Sequence, residues 1–560
     1  MAYIRGKTLF FTTSPRTPAR MIPEIALLAS SFEGCSWNKE TQVAFMKKLV
    51  EQDFYTGAEA PSDPAFSARD RINRSPKALG FLDLNPTIAL TDAGNEYVNG
   101  SRQGETLLRQ LLKFQLPSPF HKLSSELNQD FSVKPYLEII RLIKHFGSLA
   151  FDELMLFGMQ LTSIHRLSEI IEKIDTFRKS KATTADTYRV FFGKYCESEI
   201  ETIYSQEINS GQTSVRESDI HTAANFIHTK RRNLRDYTDA CFRYLRATEI
   251  VSISQSGHSL SIAKDRKIDV EFILGNVSRE PVFIDDETGY KSYLFDSTLP
   301  KLHSDDRATL VSKIALLDPS FDTERKTISQ LKDAELVLRA HRKLSKQDTE
   351  IMAIKNYRTY DDINDVFDGI VRKRFYDNPL MFEWNAWRAM TMLDGGEVEG
   401  NFNLDDNYQP LSTAAGNTPD ILCDYGDFDL LVEVTLQTGQ KQYDNEGEPV
   451  ARHVGRHKEL VEKATYCLFI APTISRASVA HFYGLHKILI SLYGGTATIV
   501  PMELSVFRKM VQDSYMAPYI PDPSRVKALF EQSKSIADTA VDENDWYQKV
   551  TAYALNWLTV

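Results

Sequence analysis

The most informative pattern of apolar and polar positions lies between residues 414 and 434. Two apolar runs, residues 421–425 and 428–434, flank Tyr425, Gly426 and Asp427, a composition typical of a tight turn. The pattern therefore predicts two antiparallel strands. A tight turn brings the start of the first strand beside the end of the second, so we expect Asp420 and Glu433 to meet.

The apolar pattern continues downstream as alternating strands and helices. Residues 466–471 predict a third strand, and residues 479–493 predict an amphipathic helix that ends at two glycines. Residues 497–500 predict a fourth strand, followed by a helix over residues 504–511. With a helix around Glu383 upstream, this order predicts an α/β domain. Trp546 and Trp557 lie on later helical segments, and we expect both to be buried in its core.

A basic segment near the N-terminus has the pattern of a winged helix. A predicted helix is followed by the apolar run 78–82, a pair of short strands and a second helix that begins near Thr91 or Asp92. A solvated, charged helix face would explain the basic residues equally well. The basic residues of this segment, which we predict to bind DNA, are Arg69, Arg71, Arg74 and Lys77.

A second segment repeats this arrangement. A helical period starts at Pro135, breaks at Gly147-Ser148 and resumes over residues 151–157. A basic helix then leads into residues 250–254 and 260–262, a predicted hairpin with its turn at Ser256-Gly257. Arg235 could equally form an ordinary surface ion pair with Asp239, one helical turn away. The predicted DNA-binding residues of this helix are Lys230, Arg231, Arg232 and Arg235.

The chain as a whole is predicted to be a multidomain α+β protein. Residues 285–289 read as a loop, and residues 322–357 are strongly helical in composition. We expect winged-helix-like domains over residues 1–130 and 131–275, a mainly helical linker over 276–365 and an α/β domain over 366–560.

Composition and charge limit the class of protein. A chain of 560 residues with 42% hydrophobic content can bury several cores. Its five cysteines lack metal-type spacing, which favours reduced thiols in the cytoplasm, and no apolar stretch is long enough to cross a bilayer. The net charge of −10 counts against nucleic acid as a partner unless the basic residues are gathered on one face.

The expected meeting of Asp420 and Glu433 suggests a metal site. Mg²⁺ prefers oxygen ligands from one or two carboxylates, completed by water and substrate phosphate. The spacing fits nucleases with a Pro-Asp…(Asp/Glu)-x-Lys motif, except that Thr435 stands where lysine is expected. Taken alone the motif is short enough to arise by chance, and the two acids would then be an ordinary strand end and a satisfied buried carboxylate.

Several separate motifs give the chain a specific resemblance. They are Phe-Glu-Trp at 382–384, Ala-Ala-Gly-Asn-Thr-Pro-Asp at 414–420, Glu-Val-Thr at 433–435, Glu-Pro-Val-Ala-Arg-His at 448–453 and Cys-Leu-Phe-Ile-Ala-Pro at 467–472, with further motifs at 14–18, 32–34 and 66–71. In this order they resemble the AlwI-type family of type IIS restriction and nicking endonucleases. The resemblance implies a nuclease core of α-β-β-β-α-β order in the C-terminal part.

The resemblance also implies roles for individual residues. Asp420 and Glu433 match metal-binding carboxylates of the family, Glu383 matches a glutamate upstream and Glu446 matches one downstream. Because the second motif of the family itself resembles Glu-Val-Thr, Thr435 does not depart from the family pattern. The residue that activates water stays open between Glu446, His453 and Lys441, with Glu446 favoured. His453, after a bend at Pro449, is equally suited to bracing the next helix.

The leading hypothesis is a sequence-specific, Mg²⁺-dependent type IIS endonuclease acting on double-stranded DNA. Its N-terminal half would read a short asymmetric site, and its C-terminal half would cut at a fixed distance. A strand-specific nicking enzyme, or the large subunit of a heterodimer, is the alternative. Cutting both strands would need a transient homodimer through the catalytic domain or a small nuclease subunit. Two further hypotheses are a DNA-binding regulator with an inert nuclease-like domain and a structure-specific nuclease.

Overall fold

The chain folds into two compact units. The computed structural model describes residues 2–4, 6–52, 54–55, 61–123, 131–215, 217–253, 258–394, 396–405, 408–414 and 418–559. The units are Met1–Arg339 and Ala340–Val560, and the boundary falls within the helix Ile328–Lys355. Both contain helices and strands, so the fold is mixed α+β. The finer division into four domains stays a prediction.

The first unit is mainly helical. Its helices are α1 Met21–Phe32, α2 Lys39–Val50, α3 Pro64–Ile72, α4 Ser75–Ala78, α5 Asp92–Asn99, α6 Gln103–Lys113, α7 Pro135–Phe146, α8 Phe151–Leu156, α9 Leu167–Thr183, α10 Tyr188–Ile203, α11 Ser205–Asn209, α12 Ala223–Ala247, α13 Lys267–Asn276, α14 Glu287–Phe295, α15 Arg307–Leu317 and the start of α16 Ile328–Lys355. Its strands are β1 Ala2–Ile4, β2 Leu82–Asp83, β3 Ala89–Leu90, β4 His121–Leu123, β5 Ser148–Ala150, β6 Val251–Ile253 and β7 Ser259–Ile262.

The first basic segment has the predicted order of elements. α3 and α4 precede an antiparallel pair of short strands, β2 and β3, which leads into α5. The Thr91 hydroxyl accepts a hydrogen bond from the Gly94 amide over 2.9 Å, and this cap starts α5 at the predicted place.

The second basic segment also has its predicted basic helix, α12, and hairpin, with one strand more. β6 and β7 are antiparallel, and β5 pairs with the other edge of β7, which gives the order β5-β7-β6. The predicted turn at Ser256-Gly257 lies outside the described residues. The predicted loop at 285–289 is wrong in part, because Asp286 caps α14 by accepting a hydrogen bond from the Gly289 amide over 2.9 Å.

The second unit is organised around a mixed sheet. Within the residues that the structure describes, five strands form it in the order β14-β13-β12-β11-β8. The strands of this unit are β8 Glu397–Gly400, β9 Asn403–Leu404, β10 Pro410–Ser412, β11 Ile421–Asp424, β12 Phe428–Val434, β13 Ala464–Ala471 and β14 Ile499–Glu503. Its further helices are α17 Tyr360–Val371, α18 Asn378–Asp394, α19 Gln440–Leu460, α20 Arg476–Lys487, α21 Leu504–Met516, α22 Pro523–Thr539 and α23 Glu543–Ala554.

The predicted hairpin lies near the centre of this sheet. β11 and β12 are antiparallel, with Ile421 opposite Val432 and Asp424 opposite Asp429. The turn requires a glycine, because Gly426 has a φ of 83°, a left-handed value that side chains disfavour. β12 is buried along its length and pairs in parallel with β13, as expected for a strand covered on both faces.

Helices on the sheet form a single apolar core in which Trp546 and Trp557 are buried, as predicted. Two predicted helix limits need correction. The helix expected to run to Tyr493 ends at Lys487, and a 3₁₀ turn, Ser491–Tyr493, follows it. The bend expected at Pro449 is absent from the described chain, since Pro449 lies inside α19. Within the described residues, no helix has both the length and the apolar character needed to cross a bilayer.

Candidate active site

The hairpin places Asp420 and Glu433 at one end of two adjacent strands. Since Ile421 lies opposite Val432, the next step of the same register sets Asp420 opposite Glu433. The Asp420 Oδ2 atom accepts a hydrogen bond from the Val434 amide over 2.8 Å, which holds this carboxylate against β12. The Glu433 side chain is 9% exposed, whereas Asp420 is half-buried. The expected meeting of these two acids is therefore confirmed.

Glu383 approaches the pair from α18. It is buried, and its Oε2 atom accepts a hydrogen bond from the Ala414 amide over 2.9 Å. Ala414 opens the motif that ends at Asp420, and residues 415–417 of that motif lie outside the described residues. Glu383 thus binds the backbone of the segment that leads into the first acid.

Glu446 and His453 both lie on α19, seven residues apart. Seven residues make about two helical turns, so both side chains leave the helix on the same face. This face carries the buried Val450 and Val454, which join the core of the unit. The Glu446 Oε1 atom accepts a hydrogen bond from the Thr435 hydroxyl over 2.8 Å. Lys441, on the first turn of α19, is exposed.

His453 contacts the second acid of the pair. Its Nδ1 atom lies 2.6 Å from the Glu433 Oε1 atom, and its side chain is 11% exposed. Burial, helped by the charges of Arg452 and Arg456, lowers the pKa of His453 to about 4, so the ring is neutral at neutral pH. A neutral ring that carries its proton on Nδ1 donates a hydrogen bond to the Glu433 carboxylate.

Burial and mutual repulsion dominate the electrostatics of the four acids. Burial raises the pKa of Asp420 and Glu433 well above the ordinary values, and the charges of Glu433 and Glu446, respectively, raise them further. Burial and the Asp420 charge raise the pKa of Glu383 in the same direction. Burial also raises the pKa of Glu446, while the hydrogen bond from Thr435 opposes this shift.

The donor set fits a hard cation. Within the described chain, no three His, Cys, Asp or Glu side chains form a ready-made metal site. Mg²⁺ commonly takes only one or two carboxylates from the protein, and Asp420 and Glu433 offer carboxylate oxygens from neighbouring strand ends. Repulsion between their buried charges is the interaction that a divalent cation would offset.

Comparison with known proteins places this arrangement in a family. The model of the AlwI restriction endonuclease family matches residues 77–510, which include all four acids. The chain belongs to the AlwI restriction endonuclease family. The motifs at 14–18, 32–34 and 66–71 precede the matched range, so their part in the resemblance stays a prediction.

One solved structure similar to this AlwI family member is the small subunit (R.BspD6I2) of the heterodimeric restriction endonuclease R.BspD6I. The identity is 24%, the match covers 34% of this chain and 97% of that chain, and the TM-score is 0.29. The comparison with curated proteins gives no match.

The first group of predicted DNA-binding residues in this AlwI family member is largely engaged within the protein. Arg69 donates to the Gln42 side chain over 3.0 Å, and Arg71 forms an ion pair with Glu24. Lys77 lies 5.4 Å from the centre of the Phe120 ring. Arg74, between α3 and α4, pairs with Asp70 but keeps its side chain 47% exposed. Arg74 is therefore the member best placed to meet a ligand.

The second group lies on α12 and is more accessible. Arg231, Arg232 and Arg235 are exposed, whereas Lys230 is half-buried over the rings of Tyr204 and Phe226. The surface pair suggested between Arg235 and Asp239 is not what forms, because Asp239 pairs with Arg16 and Arg243.

Two features of the site escaped the sequence analysis. Glu446 and His453 share one continuous helix, and Thr435 is the hydrogen-bond donor to Glu446. A helical period was present in Glu446, Val450, His453 and His457, but Pro449 obscured it. The short edge strand β8, which pairs with β11, was also missed, because its 4 residues are too few for alternation to stand out.

Proposed function

We propose that this AlwI family member is a sequence-specific type IIS endonuclease that hydrolyses a DNA phosphodiester with the help of Mg²⁺. The observation that carries the proposal is the placement of Asp420 opposite Glu433, with Glu446 hydrogen-bonded to the residue that follows β12. In a restriction endonuclease family, acids gathered at adjacent strand ends are suited to phosphodiester hydrolysis.

The order of elements supports a nuclease core of the Pro-Asp…(Asp/Glu)-x-Lys type. α18 carries Glu383, the antiparallel strands β8, β11 and β12 follow, and α19 leads into the parallel strand β13. Within the five-stranded sheet, this order supports the α-β-β-β-α-β core that the resemblance implies, but through other elements than the sequence predicted. β8 takes the place of residues 466–471 among the three strands, and α19 and β13 take the places of the predicted helix from residue 479 and strand over 497–500. We propose that residues 366–560 form the catalytic domain.

In the proposed mechanism, Asp420 and Glu433 would hold Mg²⁺. The bound ion would supply water activation and would stabilise the charge that develops at the scissile phosphate. Glu446 accepts the proton of the attacking water, and the Thr435 hydroxyl fixes the orientation of this base. His453 donates to Glu433 and so keeps that carboxylate oriented, while Glu383 holds the Ala414 backbone beside the site.

We propose that the N-terminal half reads the DNA site. Winged-helix-like units over residues 1–130 and 131–275 are supported by the paired short strands and flanking helices of each segment. The exposed guanidinium groups of Arg231, Arg232 and Arg235 on α12 are suited to phosphate contacts. A mainly helical linker over residues 276–365 would connect recognition to cutting.

Strand-specific nicking is the second candidate. The described residues contain one set of these four acids, and one such set cuts one strand at a time. Double-strand cleavage would then require a transient homodimer through the catalytic domain or a separate small nuclease subunit.

Incubation of the full chain with supercoiled plasmid tests the proposal. Discrete fragments or nicked circles in Mg²⁺, and intact plasmid in EDTA, are expected. Asp420→Ala and Glu433→Ala should each abolish cutting and keep DNA binding in a mobility-shift assay. Asp424→Ala is the matched control, since Asp424 is exposed at the other end of β11. Cutting by either site variant at the wild-type rate would refute the site, and DNA binding without any cutting would favour a regulator.

A further inference from the structure

A cavity in the first unit collects residues from both basic segments. Its volume is about 490 Å³, and its walls come from the N-terminal segment, from the turn between α3 and α4, and from α12. Arg74 of the first segment and Lys230 of the second both line it. Ligand pockets in proteins commonly measure about 300–1,000 Å³, so the volume suits a small organic ligand rather than a lone ion.

The charge of this cavity is positive, although the chain carries a net charge of −10. Among the described residues that line it, two are cationic and none is a carboxylate, although Arg74 pairs with Asp70 outside the lining. The Lys230 Nζ atom lies 4.9 Å from the ring centres of both Tyr204 and Phe226, and it forms no ion pair with any residue that the structure describes. Burial lowers the pKa of Lys230, and the charges of Glu217 and Glu207 oppose this shift. A half-buried ammonium that forms no direct ion pair is a position that an anionic ligand would stabilise.

Aromatic and amide side chains complete the walls. Phe10 and Tyr204 line the cavity, and burial raises the pKa of the Tyr237 phenol, a rise that the charge of nearby Arg74 opposes. Asn73 also lines the cavity, and its Oδ1 atom accepts a hydrogen bond from the Trp37 indole over 2.8 Å, which leaves the amide nitrogen directed away from that bond. Positive charge beside aromatic rings is the combination that binds nucleotides through phosphate and base.

We propose that this cavity receives one nucleotide of a bound DNA strand, with its phosphate at Arg74 and Lys230 and its base against the aromatic wall. The inference rests on the proposed function, because it gives the recognition half a specific contact with its substrate. A nucleotide that enters the cavity has left the base stack of the duplex. The protein would therefore recognise this base after it is flipped out of the DNA, and not through a groove of the duplex.

Binding of free nucleotides tests the cavity separately from cleavage. Each of the four deoxynucleoside 5′-monophosphates is titrated into the full chain in EDTA, beside its nucleoside and inorganic phosphate, and followed by saturation-transfer NMR. At least one nucleotide should bind at least tenfold more tightly than its nucleoside and than phosphate. Equal binding of inorganic phosphate would overturn the nucleotide assignment, as would the absence of nucleotide binding.

Variants then locate that binding. Lys230→Met and Arg74→Met should each weaken nucleotide binding at least tenfold. Lys179→Met, which removes an exposed charge from α9 outside the cavity, should leave it unchanged. Because Arg74 is exposed, Arg74→Met should leave folding intact even if Lys230→Met does not. Thermal melts of all variants measure their folding. Unchanged nucleotide affinity in both cavity variants would overturn the proposal.

DNA carrying a fluorescent base analogue distinguishes a strand from a free nucleotide. Once cleavage has mapped the recognition site, 2-aminopurine or pyrrolocytosine replaces one base of the duplex at a time. One position should brighten severalfold when the wild-type chain binds in EDTA, and Lys230→Met should abolish that rise. If no position responds and Lys230→Met still cuts plasmid at the wild-type rate, a free nucleotide is the ligand and the DNA assignment fails.

The two proposals fail in different ways. Plasmid cleavage without nucleotide binding in any form would leave the endonuclease standing and remove the cavity proposal. Nucleotide binding at Lys230 without plasmid cleavage in Mg²⁺ would leave nucleotide binding by the cavity standing and remove the endonuclease proposal.

Discussion

The Thr435 hydroxyl donates a hydrogen bond to the Glu446 carboxylate over 2.8 Å, so the residue at the position of lysine in the Pro-Asp…(Asp/Glu)-x-Lys motif contacts the proposed base. This bond opposes the rise in the pKa of Glu446 that burial causes. Removing it raises that pKa further, and less of the base is then deprotonated at neutral pH.

Thr435→Val should therefore move the ascending limb of the pH profile of cleavage to higher pH. A hydrogen bond to a charged group contributes about 1.5–3 kcal/mol, which corresponds to a shift of about 1–2 pH units. Initial rates of plasmid nicking between pH 5 and 9 measure the shift, and Thr435→Ser should restore the wild-type profile. A valine variant with an unshifted profile would assign the base to His453 or Lys441.

Asp420→Asn should stabilise the second unit while it abolishes cleavage. Burial and the charge of Glu433 both raise the pKa of the Asp420 carboxyl. The substitution removes the Asp420 charge, and with it the repulsion from Glu433, without a change in side-chain size. Each kcal/mol gained corresponds to about 2–4 °C in the melting temperature of a unit of this size. The pKa of Asp420 is higher in the folded protein than in the unfolded chain. Protonated Asp420 therefore contributes its full stabilisation at pH values below the unfolded pKa, and this stabilisation is lost as the pH rises through the folded pKa. Melts without metal should therefore show wild type losing stability with rising pH more steeply than the variant.

Mg²⁺ gives the same variant a second readout. Saturation at 100 times the dissociation constant stabilises a folded protein by about 2.7 kcal/mol, so wild type should melt several degrees higher in Mg²⁺ than in EDTA. Asp420→Asn should lose most of this difference, and Asp424→Asn should keep it. An equal rise in all three proteins would show that the ion binds elsewhere.

Gly455→Ala should destabilise the second unit. A Cβ atom at this position of α19 would overlap the Leu492 carbonyl oxygen and lie 2.7 Å from the Tyr493 Cα, and both are backbone atoms that cannot move aside cheaply. Overpacking of this kind costs about 1–3 kcal/mol, and cleavage should also fall because α19 carries Glu446 and His453. Gly484→Ala on α20 is the control: nothing described lies within 4 Å of its Cβ position, and it should be neutral or stabilising by up to about 1 kcal/mol in thermal melts.

Replacement of Arg231, Arg232 and Arg235 by glutamine should flatten the salt dependence of DNA binding. Each lost phosphate contact lowers the slope of log affinity against log salt by about 0.9, so the triple variant should lose about 2–3. Lys39, Lys47 and Lys48 on α2 are exposed and provide a control with the same loss of charge. Equal slopes in the two triple variants, measured by fluorescence anisotropy, would show that net charge and not α12 governs binding.

Nicked circles should appear before linear plasmid. One set of acids cuts one strand, so the second cut waits for another catalytic domain, and the conversion of nicked to linear DNA should speed up with enzyme concentration. A strand-specific nicking enzyme would stop at nicked circles at every concentration. Linear product without a nicked intermediate, at a rate independent of concentration, would show that a preformed dimer cuts.

Sequence patterns predicted the hairpin of the site because its determinants are local. Two apolar runs, a glycine turn and the antiparallel register together set Asp420 opposite Glu433. The patterns failed at α19, where Pro449 signals a break but lies within a helix whose other contacts to the sheet hold it together. They also missed the partners of Arg71 and Lys77. Ion pairs and ring contacts between segments that are distant in sequence produce no periodic pattern of apolar and polar residues.

Asp420 directly precedes β11 and Glu433 lies on the neighbouring β12, so the backbone ladder of one sheet holds the two residues opposite each other. No rotation of a loop or closure of a lid is needed to bring the two carboxylates together, and a slip of one residue would turn one of them to the opposite face. A metal site of the proposed kind would therefore have its two acids in place before DNA binds. We therefore expect the choice of the cut phosphate to depend on which phosphates reach the sheet, and not on assembly of the acids themselves.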